Sequence, residues 1–233
     1  MRAAPLAFAA WFAAFSAGCA HAPGYPPDPI PRPTAVSDFA SLYNKNCAAC
    51  HGPNGQNGPA IDLANPEYQA LIDDATLRKW ISSGMPGTEM SAFAESKGGT
   101  LTSAQVDALI KGMRQQWSHP NIFAATPPTY AQSQPGDPAH GHDVYSSRCA
   151  SCHQSPQQDI TSPNYLALVT DQALRSIVIA GRPDIGQPDW LHDSPTGKLT
   201  TPLSGQEVDD LVAYLAGFRN SAPQIAANTA GKK

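Results

Sequence analysis

Methionine is scarce in this chain, and it stops early. The four methionines are Met1, Met85, Met90 and Met113, so the second half has no thioether to offer. Charge is thin as well: 15 lysines and arginines stand against 19 acidic residues, for a formal net charge of −4. No block of like charge is long enough to grip nucleic acid, which excludes that class of partner. No stretch of useful length alternates polar with apolar residues, which excludes half-buried strands and leaves an all-α reading. Cysteine is limited to five residues, and four of them fall in two short motifs.

The apolar run from Leu6 to Phe15 is too short to cross a membrane comfortably. With Arg2 ahead of it and small residues behind, it has the layout of a bacterial export signal. Ser16-Ala17-Gly18-Cys19 resembles a lipobox, whose Cys becomes the lipidated first residue, while Ala20-His21-Ala22 would serve an ordinary secretory cleavage. The cysteine count points to the lipobox, because Cys19 would otherwise be a lone thiol in an oxidising compartment. The expected location is the bacterial periplasm or the outer face of the inner membrane, with a lipid anchor at Cys19.

Behind this signal peptide (1–19), six prolines between His21 and Ala35 forbid a packed helix and make 20–35 an extended tether. Fifteen such residues span roughly 45 Å. A second Pro-rich linker, 121–138, separates segments 36–120 and 139–220, and 221–233 reads as a small polar tail. The two segments repeat one another in order: a short helix, a cysteine motif, an irregular stretch, a helix ending in Gly, a loop and a last capped helix. Ser37 is the expected cap of the first helix. Thr102 to Gln105 and Ser204 to Glu207 are capping boxes. Each is followed by an apolar stripe at helical spacing, Val106, Leu109, Ile110 and Met113 in one copy and Val208, Leu211, Val212 and Leu215 in the other.

The motifs are Cys47-Ala48-Ala49-Cys50-His51 and Cys149-Ala150-Ser151-Cys152-His153, both C-x-x-C-H. This pattern reads as covalent attachment of a c-type haem. Cysteines three apart lie on one helical turn, where they can form thioethers with the two haem vinyl groups, and the adjacent His then points its imidazole at the iron. Zinc and dithiol chemistry use the same cysteine spacing, but neither requires the trailing His twice. Two covalently bound haems (haem c, iron) are expected.

On these motifs and the matched helices around them, each half resembles a class I cytochrome c domain, and the pair resembles small diheme cytochromes. The resemblance covers nearly all of the chain outside the linkers. It implies two tandem domains of helices wrapped around haem, the first and last helices packed together, and a Met as the usual sixth iron ligand. In the first domain Met90 fits the family's Met-bearing turn. Met85 directly follows the helix-ending Gly84, and Met113 belongs to the apolar stripe.

The second domain has no such Met, and two ways of counting disagree. Six residues beyond the helix-ending Gly, as Gly84 leads to Met90, Gly181 leads to Gln187. Eleven residues back from the Leu before the last capping box, as Leu101 leads to Met90, Leu203 leads to His192. This loop is five residues longer than its counterpart. Imidazole binds haem iron well and a Gln amide poorly, so chemistry points to His192, with Gln187 or an open, water-bound site as the alternatives. Asp184, Asp189 and Asp193 in the same loop read as solvated carboxylates.

Covalently held haem with both axial positions filled suits electron transfer rather than bond chemistry. The resemblance implies an electron relay, with redox proteins as partners: a quinol-oxidising complex on one side and a terminal haem-copper oxidase on the other. The segments carry eight acidic against six basic and nine against five residues, so neither offers a lysine-rich docking face. The competing reading is a peroxidase-like or small-molecule-reducing enzyme using an open sixth position in the second domain.

Overall fold

The computed structural model describes residues 32–192 and 200–221. Cys19, the signal sequence and Asp193 lie outside the described residues. The first half consists of α1 (Phe39–Asn46), α2 (Ala48–His51), α3 (Pro66–Leu71), α4 (Asp74–Ser83) and α5 (Ser103–Trp117). The second consists of α6 (Pro138–Arg148), α7 (Ala150–His153), α8 (Pro163–Leu166), α9 (Asp171–Ala180) and α10 (Gly205–Gly217). The fold is all-α, and five helices answer five in order. No strand occurs among the described residues; isolated bridges join Ala94 to Leu101 and Arg182 to Gln187.

Helices start where a short polar side chain can accept a free backbone N–H. Asp38, not Ser37, caps α1: its carboxylate accepts from Ser41 N–H at 2.8 Å, and a charged oxygen is the stronger acceptor. Asn65, Asp73, Asp137 and Thr170 cap α3, α4, α6 and α9. Both capping boxes close, with Gln105 and Glu207 reaching back to the N–H of Thr102 and Ser204.

The stripe on α5 is buried against α1 and α4, where Leu109 and Met113 meet Leu42, Tyr43, Leu77 and Ile81. On α10, Val208, Leu211 and Leu215 meet Val144, Leu174 and Ile179. Truncating one of these leucines to Ala would cost about 2–5 kcal/mol through lost burial and the cavity left behind. In each half a glycine lets the first and last helices approach closely. A Cβ on Gly112 of α5 would lie 2.1 Å from the Phe39 ring, whereas in the second half the glycine sits on the other helix, with a Cβ on Gly141 of α6 falling 2.0 Å from the Asp210 carbonyl.

From Val36 onward both halves belong to one compact unit. The buried Asn65 amide donates to Ala180 O at 2.7 Å and to Gly181 O at 3.2 Å. The Pro-rich linker is a seam between the halves rather than a free spacer. The Tyr130 hydroxyl accepts from Trp80 Nε1 at 3.0 Å, its carbonyl accepts from Gln172 Nε2 at 2.8 Å, and the Thr129 carbonyl accepts from Arg175 Nε at 2.9 Å. Arg175 is itself buried in an ion pair with Asp209.

Candidate haem sites

Each motif folds as a kinked single turn. Cys47 ends α1 and precedes α2 with φ −120° and ψ −36°, and Cys149 repeats this between α6 and α7 with φ −116° and ψ −37°. The Cys47 carbonyl accepts from Cys50 N–H at 3.2 Å and His51 N–H at 3.0 Å; the Cys149 carbonyl accepts from Cys152 and His153 at 3.2 and 3.1 Å. One turn therefore presents two sulfurs with the imidazole beside them. In each half the first cysteine is half-buried and the second exposed. Burial pushes the thiols of Cys47 and Cys149 up to about 12 and about 11, so both are protonated, the form whose S–H would add across a vinyl double bond.

The tautomer of each histidine is held by a backbone carbonyl. His51 Nδ1–H donates to Ile61 O at 2.8 Å and His153 Nδ1–H to Gln158 O at 2.7 Å, which leaves Nε2 as the lone pair a metal needs. Burial also holds His51 below the usual histidine range, so its neutral form prevails. Opposite His153 lies Gln187, with Oε1 3.1 Å from Nε2. The amide orientation is fixed by its own Nε2–H, which donates to Pro188 O at 3.2 Å. At 3.1 Å, Gln187 Oε1 and His153 Nε2 are too close for an iron bound to both to lie between them; what the geometry shows is that Gln187 is the side chain facing His153.

The backbone resolves the two competing counts. Gly84 and Gly181 end α4 and α9 at φ +70° and +69°. A Cβ on Gly84 would lie 2.5 Å from Met90 O and 2.8 Å from Ala92 N; on Gly181 it would lie 2.8 Å from Gln187 O and 2.9 Å from Asp189 N. Met90 and Gln187 therefore hold equivalent positions. Three residues further on, Phe93 O accepts from Leu101 N at 2.8 Å and Trp190 O from Leu203 N at 3.0 Å. The five extra residues all fall between Trp190 and Leu203.

His192 lies beyond that anchor, and its imidazole is engaged by Asp189, with Nδ1 2.7 Å from Oδ2. The structure brings Gln187, not His192, against His153. Of the methionines, Met113 is buried in the core, Met90 packs against the same core, and Met85 donates its N–H to Met90 O. His140 pairs with Asp210 on α10, away from the cysteine turns.

Asp184 is not a solvated loop carboxylate. Its side chain is 1% exposed and accepts both Nε and Nη2 of Arg182 at 2.8 Å. Asp189 is largely buried as well, so two of the three loop carboxylates face protein. A cavity of about 200 Å³ opens beside Gln187, lined among others by Asn65, Glu67, Asp189 and His192. Burial, reinforced by the Asp189 carboxylate, pushes Glu67 up to about 8. Asn65, Glu67 and Arg182 escaped sequence reasoning. The Asn65-Pro66 pair signals a helix cap, but nothing in the order of residues tells that its amide crosses to the other half.

Residues 34–111 match the family model described as cytochrome c oxidase, cbb3-type, subunit III, and residues 138–218 match the cytochrome c model. The chain is 30% identical over 191 residues to the cbb3-type cytochrome c oxidase subunit CcoP of Azospirillum sp. (strain B510), an alignment covering 77% of this chain and 56% of that protein. It is 23% identical over 214 residues to the cytochrome bc1 complex cytochrome c subunit of Corynebacterium diphtheriae, covering 84% of this chain and 71% of the relative. The chain thus spans little more than half the length of the first relative. No solved structure matches it. With a cytochrome c-type domain and an attachment motif in each half, and two covalently bound c-type haems, the chain is a diheme c-type cytochrome.

Proposed function

We propose that the chain relays single electrons between respiratory redox proteins, with His51 and Met90 as the axial pair in the first domain and His153 and Gln187 in the second. When bound, c-type haem supplies reversible one-electron storage. The chain's residues supply attachment, orientation and exclusion. Cys47, Cys50, Cys149 and Cys152 hold the group, and the Ile61 and Gln158 carbonyls aim the two imidazoles.

The observation that carries this reading is the placement of Gln187 Oε1 at 3.1 Å from His153 Nε2. A side chain already stands where substrate would have to bind, and Met90 holds the equivalent position in the other half. Both relatives are subunits of respiratory complexes, which supports a quinol-oxidising complex and a terminal haem-copper oxidase as donor and acceptor. The lipobox-like Ser16 to Cys19 supports a lipid anchor at Cys19 on the periplasmic side, and among the described residues no helix is long and apolar enough to cross a membrane.

Carbon monoxide titration of the dithionite-reduced, haem-loaded protein tests the reading. Slow binding at both sites is the expected result, and rapid binding at half of the haem would favour bond chemistry at the second site. The cavity beside Gln187, with the raised carboxyl of Glu67 on its wall, is the feature that would serve such chemistry. Mass spectrometry of the mature amino terminus tests the anchor: acylated Cys19 is expected, and an unmodified start at Pro23 would make the chain a free carrier.

A further inference from the structure

We infer that Arg182 and Asp184 form a buried charge pair that fastens the loop bearing Gln187 to the cysteine turn of the first domain, so that both redox sites sense one ion pair. The inference rests on the two-haem reading above. Arg182 is 6% exposed and the Asp184 side chain 1%. Both belong to the second domain, yet their remaining side-chain hydrogen bonds go to the first. Arg182 Nη1 donates to Ala60 O at 3.0 Å and Nη2 to Gly58 O at 3.2 Å, while Asp184 Oδ2 accepts from Asn57 N–H at 2.9 Å.

Each end of this clamp is wired to a redox site. Ala60 N–H donates to the carbonyl of Cys50, the residue next to His51, at 2.9 Å. Arg182 and Gln187 exchange both backbone hydrogen bonds at 2.9 Å, and Gln187 is the residue facing His153. Stability alone is a weak reason for the arrangement, because desolvation of a buried ion pair offsets much of its attraction. Geometry is a better one: the planar guanidinium satisfies a carboxylate of its own domain and two carbonyls of the other at once, which ties the placement of one domain to the other.

The pair is neutral as a whole, so its members can be unmasked separately. A buried cation left alone disfavours the more positive, oxidised iron and raises a potential, and a buried anion left alone lowers it. Arg182 is therefore a positioning residue whose removal has an electrostatic signature beyond loosening. Potentiometric titration of the full-length, haem-loaded protein, following each haem by visible and EPR spectra, reads that signature. Asp184→Asn is expected to raise both potentials and Arg182→Gln to lower both, with Arg182→Lys staying near the parent values. Should Arg182→Gln not fold, the double variant Arg182→Gln with Asp184→Asn is expected to return both potentials toward the parent. Movement of only one potential, shifts of the same sign in both single variants, or a double variant as displaced as Asp184→Asn would overturn the inference. Fewer than two haems per denatured chain would instead sink the reading on which it rests.

Discussion

On the proposed ligation, Gln187 would set the difference between the two redox sites. A thioether is a soft ligand that favours ferrous iron and raises its potential, and an amide oxygen in its place removes that preference. Met90→Ala is expected to lower one of the two potentials and to abolish the near-infrared charge-transfer band of methionine-ligated ferric haem, with Met85→Ala nearly silent. Loss of the band in the Met85 variant would move the ligand. Gln187→Met, conversely, should raise the lower potential toward the higher one in a redox titration. Because each separation of about 59 mV shifts a one-electron equilibrium tenfold, even a modest gap would hold single electrons on the Met90 side, and the proposed relay would run from the second domain to the first. Two equal potentials in the parent protein would mean that position 187 does not set this polarity. Gln187 was half legible in the sequence. Counting from Gly181 reaches it and counting from Leu203 reaches His192, since an insertion does not announce where in a loop it lies. What decides is the positive φ of Gly181 and the Gln187 carbonyl lying where a Cβ on Gly181 would be, which are backbone facts.

At the scale of helices the sequence was informative wherever a signal is local. The capping boxes at Thr102 and Ser204 and the stripes behind them form as read, because a cap and its partner lie three residues apart and helical spacing is a property of the segment itself. The start of α1 moved by one residue only because Asp38 outcompetes Ser37 as an acceptor. The pairing of α6 with α10 is where local reading ends. His140 Nδ1 lies 2.7 Å from Asp210 Oδ2, and the same buried carboxylate accepts from Asp137 N–H at 2.7 Å and Gln206 Nε2 at 2.8 Å. The hydrogen bond to Asp210 raises His140 above its ordinary 6.5. A folded chain that binds this proton more tightly than the unfolded one gains stability that is fully present below about pH 6.5 and is lost as pH rises through the folded value. The urea midpoint of the haem-loaded protein should therefore fall as pH rises above about 6.5, and His140→Gln should reduce that fall while leaving the part that Glu67, raised to about 8, contributes. A variant with the parent's full pH dependence would show that another group carries it.

For the whole molecule, a repeat with Pro-rich connectors suggests two beads on a string, and the structure joins them. The reason this was hidden is that the joining groups are polar residues whose partners are backbone carbonyls more than a hundred positions away, and a carbonyl has no sequence signature. Asn65 is the clearest case. Its Oδ1 caps α3 by accepting from Glu67 N–H at 2.8 Å and Tyr68 N–H at 3.3 Å, while its Nδ2 donates across the boundary to Ala180 and Gly181. Two substitutions separate these duties. Asn65→Asp keeps the capping oxygen but sets a second oxygen against two buried carbonyls, whereas Asn65→Ser keeps a cap and withdraws the donor without adding repulsion. A buried acceptor left unpaired costs about 1–3 kcal/mol, and a buried carboxylate facing carbonyls costs more unless it takes up a proton. Urea unfolding followed by haem absorbance and tryptophan fluorescence should show Asn65→Ser destabilised by about 1–3 kcal/mol and Asn65→Asp destabilised further at pH 8 than at pH 5, where protonation restores a donor. Equal losses for the two variants at both pH values would mean that the cap, and not the bond between domains, is what Asn65 contributes.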